Sequence, residues 1–171
     1  MKKILLSGYM ASGKSTIAQL LSKASGIPYR DLDDIIEENA QKSVSDIFSE
    51  DGEIKFRKME HEALKAVLSD DKGLILALGG GTPCYANNHE FLKRDDVMSI
   101  YLKASIPELL KRLRADGGGR PLFDKQPPEE QEEFVAKHLF DRSYFYHQSK
   151  HVILTDGKTT ENIVNEIMSL F

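Results

Sequence analysis

Apolar positions along this chain fall into two alternating patterns, short unbroken runs and longer stretches with a helical period. Lys3–Ser7 (KILLS) is a short apolar run stopped by a glycine, which predicts a buried strand. Lys14–Ala24 sets Ile17, Ala18, Leu20, Leu21 and Ala24 at helical spacing. Ile27–Asp31 predicts a second strand and Asp33–Ala40 a helix, and Ser43 or Ser45 could cap another short helix. Glu53–Leu68 gathers Ile54, Phe56, Ala63, Leu64, Val67 and Leu68 into much of one helical face. Leu74–Leu78 and Val97–Leu102 predict the third and fourth strands. A helix follows over about Ser105–Ala115, with Pro107 admissible in its first turn. Asp116–Pro128 holds three glycines and three prolines and predicts a mobile loop. Glu129–Gln148 predicts a long helix, His151–Leu154 a fifth strand and Thr160–Leu170 a closing helix.

Strands alternating with helices predict an α/β fold, a five-stranded parallel sheet covered on both faces in three α/β/α layers. Ligands on such sheets bind beyond the carboxyl ends of the strands. Two of the three glycine clusters, Gly8–Gly13 and Gly79–Gly81, follow strand ends directly, and the third, Gly117–Gly119, lies between two helices. The 171 residues fit one domain, 1–171, with a flexible cap at about 112–127. Lys plus Arg is 23 against 27 Asp plus Glu, a net charge of −4, which weighs against a general nucleic-acid coat. The single cysteine, Cys84, excludes an internal disulfide framework and a Cys-rich zinc site. No apolar run approaches a membrane span, and the start of the chain is too short in apolar residues for a secretory signal. The expectation is a cytoplasmic monomer that acts on a small molecule, with no nucleic-acid or membrane partner.

Candidate chemistry starts at Gly8-Tyr9-Met10-Ala11-Ser12-Gly13-Lys14-Ser15, which fits G-x-x-x-x-G-K-[ST] and lies between a predicted strand and a predicted helix. In such a loop backbone N–H groups wrap phosphates and the helix N-terminus adds its positive end. Lys14 reaches the β- and γ-phosphates, and the Ser15 hydroxyl takes Mg²⁺. A nucleoside triphosphate with Mg²⁺ is therefore the first expectation, and the short chain suits a small kinase.

The acceptor side is less defined. Asp31 and Asp33 share a face if the second strand persists that far, so one carboxylate can serve Mg²⁺ and the other a substrate hydroxyl. Alternatively these acids, with Asp34, start a helix, Asp33 or Asp34 being its cap. Arg57 has Glu60 at i+3, either to orient its guanidinium or as a solvated ion pair. Gly79, Gly80 and Gly81 offer bare backbone N–H groups to a ligand. Residues 103–125 carry six basic and three acidic side chains, and Arg120 stands in the glycine-rich loop, where it could meet a transferring phosphate. Arg142 has no acid at helical spacing, so it is a ligand-binding cation, the partner of a distant acid, or plainly exposed.

Taken together, these residues resemble shikimate kinase, within the nucleoside-monophosphate-kinase-like P-loop group. The resemblance runs nearly end to end. It is carried by GYMASGKST, by Asp31 and Asp33, by Phe56-Arg57 with Glu60, by Gly79–Gly81, by Arg120-Pro121-Leu122, and by Arg142 with Tyr146. It implies transfer of the γ-phosphate of ATP to the 3-hydroxyl of shikimate, a step towards chorismate and the aromatic amino acids. Gly8, Ala11, Ser12, Gly13, Lys14, Ser15 and Thr16 would hold ATP phosphates, with Ser15 and Asp31 serving Mg²⁺. Asp33 would bind the attacked hydroxyl as base. Arg57 and Arg142 would hold the shikimate carboxylate, with Gly79, Gly80 and Gly81 adding backbone contacts. Arg120 would reach the transferring phosphate from the lid. Arg112 would lie against adenine, although Arg114 could take that place because residues 113–119 run slightly long. Ala11 stands where the family often has glycine, and Phe123 where leucine is common. A sister kinase acting on gluconate would share the phosphate loop without needing the whole set.

Overall fold

The computed structural model describes residues 3–171. Its sheet has five parallel strands in the order β2-β3-β1-β4-β5, with β1 at Lys3–Ser7, β2 at Tyr29–Asp31, β3 at Leu74–Ala77, β4 at Val97–Lys103 and β5 at His151–Leu154. β1 is central and buried along its whole length, which is why it reads as an unbroken apolar run rather than an alternating one. Leu5 pairs with Leu76 on one side and Ser99 on the other.

Successive β1 side chains enter different cores. Ile4 and Leu6 join Ile17 and Leu21 of α1 (Lys14–Ser25) and Ile163 and Ile167 of α8 (Thr160–Met168). Leu5 joins Leu32 and Ile36 of α2 (Leu32–Ala40), Ile47 of α3 (Val44–Asp51), and Phe56 and Leu64 of α4 (Glu53–Ser69). A third cluster lies past the carboxyl ends of the strands. There Tyr9 and Tyr101 pack with Leu109 and Leu113 of α5 (Ile106–Ala115), Phe123 of α6 (Pro121–Asp124), and Val135 and Tyr146 of α7 (Gln131–Tyr146). This cluster props the cap segment beside the end of β1. No described helix is long and apolar enough to cross a membrane.

Three sequence expectations need correction. The second strand starts at Tyr29 and stops at Asp31, so alternation along a strand does not relate Asp31 to Asp33. Asp31 instead caps α2, its Oδ1 accepting from the Asp33 N–H at 3.0 Å, and neither Asp33 nor Asp34 is the cap. The supposed loop Asp116–Pro128 contains α6, begun by Pro121 in its first turn and anchored by the buried Phe123. Residues Thr82–Cys84 and Asn88–Lys93, unassigned from sequence, form 3₁₀ turns.

Candidate active site

The phosphate loop turns between β1 and α1. Gly8 must be glycine there, since a Cβ would stand 2.7 Å from Ser12 Oγ and 2.8 Å from the Leu102 carbonyl. Gly13 caps α1 with φ 94°. Ala11 also holds a left-handed backbone, φ 64°, which costs an L-residue about 1 kcal/mol. Ser12 is turned inward, its buried Oγ without a hydrogen-bond partner among the described residues. Lys14 Nζ donates to the carbonyls of Gly8 (2.7 Å) and Tyr9 (2.9 Å). Burial and the nearby Arg120 charge lower the Lys14 ammonium to about 7, an arrangement that wants anionic company.

Ser15 Oγ donates to Asp31 Oδ2 at 2.7 Å, so hydroxyl and carboxylate already form one oxygen pair. Among the described residues no three His, Cys, Asp or Glu side chains gather into a metal-binding group. A hydroxyl and one carboxylate are the donor set of an Mg²⁺ held jointly with substrate phosphates rather than by a protein cage. Arg112 Nη1 donates to the Ala11 carbonyl at 3.2 Å and its Nε to Glu108 at 3.1 Å, so it rests on the phosphate loop. Arg114 turns away to Gln131 and the Pro128 carbonyl.

Two cavities open beyond the strand ends. The first, of about 350 Å³, is lined by Lys14, Ser15, Thr16, Asp31, Arg112 and Asp116 among others. The second, of about 270 Å³, is lined by Val44, Phe48, Phe56, Arg57, Glu60 and Leu122 among others. They share Met10, Asp33, Gly79, Gly80 and Arg120. Asp33 therefore stands where the two meet. Burial pushes its carboxyl up to about 6, helped by the charges of Asp31 and Glu60 and opposed by Lys14.

The second cavity is built around Arg57. Its Nη1 donates to Glu60 Oε1 at 2.9 Å, and the other oxygen of Glu60 accepts from Thr82 Oγ1 at 2.8 Å. Glu60 is 1% exposed, so the solvated ion pair is not what forms. The guanidinium lies 3.9 Å from the Tyr85 ring centre, a cation–π contact. Arg57 Nε is buried and makes no hydrogen bond among the described residues, with Glu53 Oε1 3.7 Å away as its ion-pair partner.

The glycine triplet also makes room for its neighbours. A Cβ on Gly81 would fall 2.7 and 2.8 Å from the Arg57 guanidinium nitrogens. One on Gly79 would meet Thr82 Oγ1 at 3.0 Å and Asp33 Oδ1 at 3.4 Å. The missing side chains let Arg57 and Asp33 press against the backbone.

Arg120 lines both cavities, held by its own N–H to Asp124 Oδ2 at 2.9 Å and by Nε 3.7 Å from Asp116. Arg142 lines neither cavity. It stands behind Gly80, whose Cβ would lie 3.5 Å from Nη1. Asp34 also stays outside both. The sequence pointed to Phe56 beside Arg57 but not to Asp116, Tyr85, Thr82, Val44 or Phe48, which share the site. Of these only Asp116, before the glycine run, carried a signal.

The family model described as shikimate kinase matches residues 10–171. A shikimate kinase of Flavobacterium johnsoniae is 51% identical over 170 residues, covering 99% of both chains. The crystal structure of shikimate kinase from Bacteroides thetaiotaomicron superposes with a TM-score of 0.88 at 31% identity, over 99% of this chain and 97% of that one. Shikimate kinase from Acinetobacter baumannii, in complex with shikimate, gives 0.86 at 30% identity, over 99% and 92%. With a phosphate loop opening onto an arginine-lined pocket, and with likeness along the whole chain, this protein belongs to the shikimate kinase family.

Proposed function

We propose that this chain transfers the γ-phosphate of ATP to the 3-hydroxyl of shikimate. The observation that carries the reading is the meeting of two cavities at Asp33, one walled by the phosphate loop and the other by Arg57. ATP phosphates enter the first, with Lys14 leaving the Gly8 and Tyr9 carbonyls for the phosphate oxygens and Arg112 facing the nucleoside. Ser15 and Asp31, already paired, would hold Mg²⁺, which would neutralise phosphate charge. The shikimate carboxylate pairs with Arg57, whose planar fork matches it, and with Arg142, which reaches it past Gly80 on the wall that both cavities share.

The shikimate 3-hydroxyl oxygen then bonds to the γ-phosphorus as the bond to the β,γ-bridging oxygen breaks. Asp33 accepts the hydroxyl proton and ADP leaves. Arg120 meets the transferring phosphoryl group from the lid. The whole chain acts as one kinase domain with residues 112–127 as that lid. The reading also makes it a monomer in the cytoplasm. The acidic balance and single cysteine favour that setting.

The test is ADP release from MgATP in a coupled assay with shikimate, gluconate or no acceptor. Release is expected with shikimate alone; turnover of gluconate without shikimate would overturn the reading. A second outcome concerns the pocket wall. Glu60 and Tyr85 pin Arg57, so it cannot swing clear of a methyl group at Gly81. Gly81→Ala should raise the KM for shikimate about tenfold, the loss of one charge-assisted hydrogen bond, while the KM for MgATP stays unchanged.

A further inference from the structure

One face of α7 carries His138, Arg142 and Tyr146 at successive intervals of four residues. The outer two are tied to the two halves of the site. The Tyr146 hydroxyl donates to the Gly80 carbonyl at 2.6 Å, and Gly80 is shared by both cavities. The Tyr9 hydroxyl, in the phosphate loop, shares a 2.8 Å hydrogen bond with His138 Nδ1. Burial and the neighbouring Arg142 charge lower His138 to about 4, so its imidazole is neutral.

Tyr146 is fully buried, its ring 5.1 Å from that of Tyr101 on β4, so the hydroxyl has one fixed direction. Arg142 lies beside that same hydroxyl, with the Gly80 backbone at its tip. No salt bridge to a carboxylate holds Arg142 among the described residues. A guanidinium on a long side chain without an acid to orient it needs another restraint if it is to meet a ligand in one geometry.

We propose that Tyr146 is a positioning residue for acceptor binding, and that the Tyr9–His138 pair steadies the other end of the same helix face. Together they set Arg142 against Gly80 and aim it at the acceptor carboxylate. This rests on the reading of Arg142 as a carboxylate ligand. The arrangement also links the nucleotide loop to the acceptor pocket through one helix face, and Tyr9, His138 and Tyr146 line neither cavity.

The test compares Tyr146→Phe, Arg142→Ala and the double variant in steady-state kinetics. Tyr146→Phe keeps the ring and removes only the hydroxyl. It should raise the KM for shikimate about tenfold, leave the KM for MgATP unchanged and alter kcat less than twofold. In the Arg142→Ala background, Tyr146→Phe should add less than a twofold further rise, because it acts through the side chain already gone. A full tenfold rise on that background, or equal losses for both substrates, would overturn the proposal. Arg142→Ala alone separates the two levels. An unchanged shikimate KM there would sink the reading of Arg142, whereas a raised KM with a silent Tyr146→Phe would sink only this inference. If Tyr146→Phe does not fold, His138→Ala carries the test. It should raise the shikimate KM, and His138→Asn, which restores an acceptor near Nδ1, should reverse most of the rise. Failure of that rescue would overturn the clamp.

Discussion

Lys14→Ala is expected to lower kcat/KM about 1,000-fold, roughly 4 kcal/mol of transition-state stabilisation, while the protein stays folded. The ammonium already spans the two carbonyls that close the phosphate loop, and no other cation takes that place. Arg120 lines the same cavity and Arg112 is bonded to the Ala11 carbonyl. Loss of activity need not bring loss of stability. Burial lowers the Lys14 ammonium to about 7, far below its ordinary value. A cation whose pKa is lower in the folded than in the unfolded chain destabilises the fold fully below the folded value. The penalty fades as pH rises towards the unfolded value. Lys14→Ala should therefore melt no lower than the parent at pH 6 without nucleotide, and the gap should narrow by pH 9. Thermal melts at the two pH values, run beside the ADP-release assay, check both halves. A variant that loses activity and melts lower would make Lys14 a structural residue.

The same site shows which parts of the chemistry the residue order could express. The phosphate loop is contiguous, so its strand, turn and helix all stand in one stretch of text, GYMASGKST. The Arg57–Glu60 pair is also local, three residues apart on α4. What the text could not show is what buries that pair. Thr82 and Tyr85 arrive from the turn after β3 and are neighbours of Arg57 only through the fold. Asp31 and Asp33 do line one cavity, yet through a helix cap rather than strand alternation. The glycines and prolines of 116–128 read as a loop because local composition dominates the pattern. The burial of Phe123 against α5 and α7 is a tertiary gain, and it holds one helical turn there. Tyr146 stands out in the sequence only beside Arg142 and His138 not at all, because the partners of their hydroxyl and imidazole lie 66 and 129 residues away.

Asp33→Asn should lower kcat about 100- to 1,000-fold, the usual worth of a positioned base, with the KM for MgATP little changed. Asn keeps the size and can still accept a hydrogen bond from the attacked hydroxyl, but it cannot take its proton. The pH dependence separates this from a merely steric role. Burial, with Asp31 and Glu60 nearby, raises the Asp33 carboxyl to about 6 in the free protein. The kcat/KM for shikimate should then fall as pH drops through 6, and the Asn variant should lose that acidic limb while keeping its low plateau. Stability runs the other way. A carboxyl whose pKa is raised by folding destabilises the fold above that value, and the penalty is lost as pH falls towards its unfolded value. Asp33→Asn should therefore stabilise the ligand-free protein at pH 7 and lose that advantage by pH 4. Loss of activity with the acidic limb intact would move the proton to another group. Asp31 would be the next to test, since its carboxylate stands beside Asp33 in the same cavity.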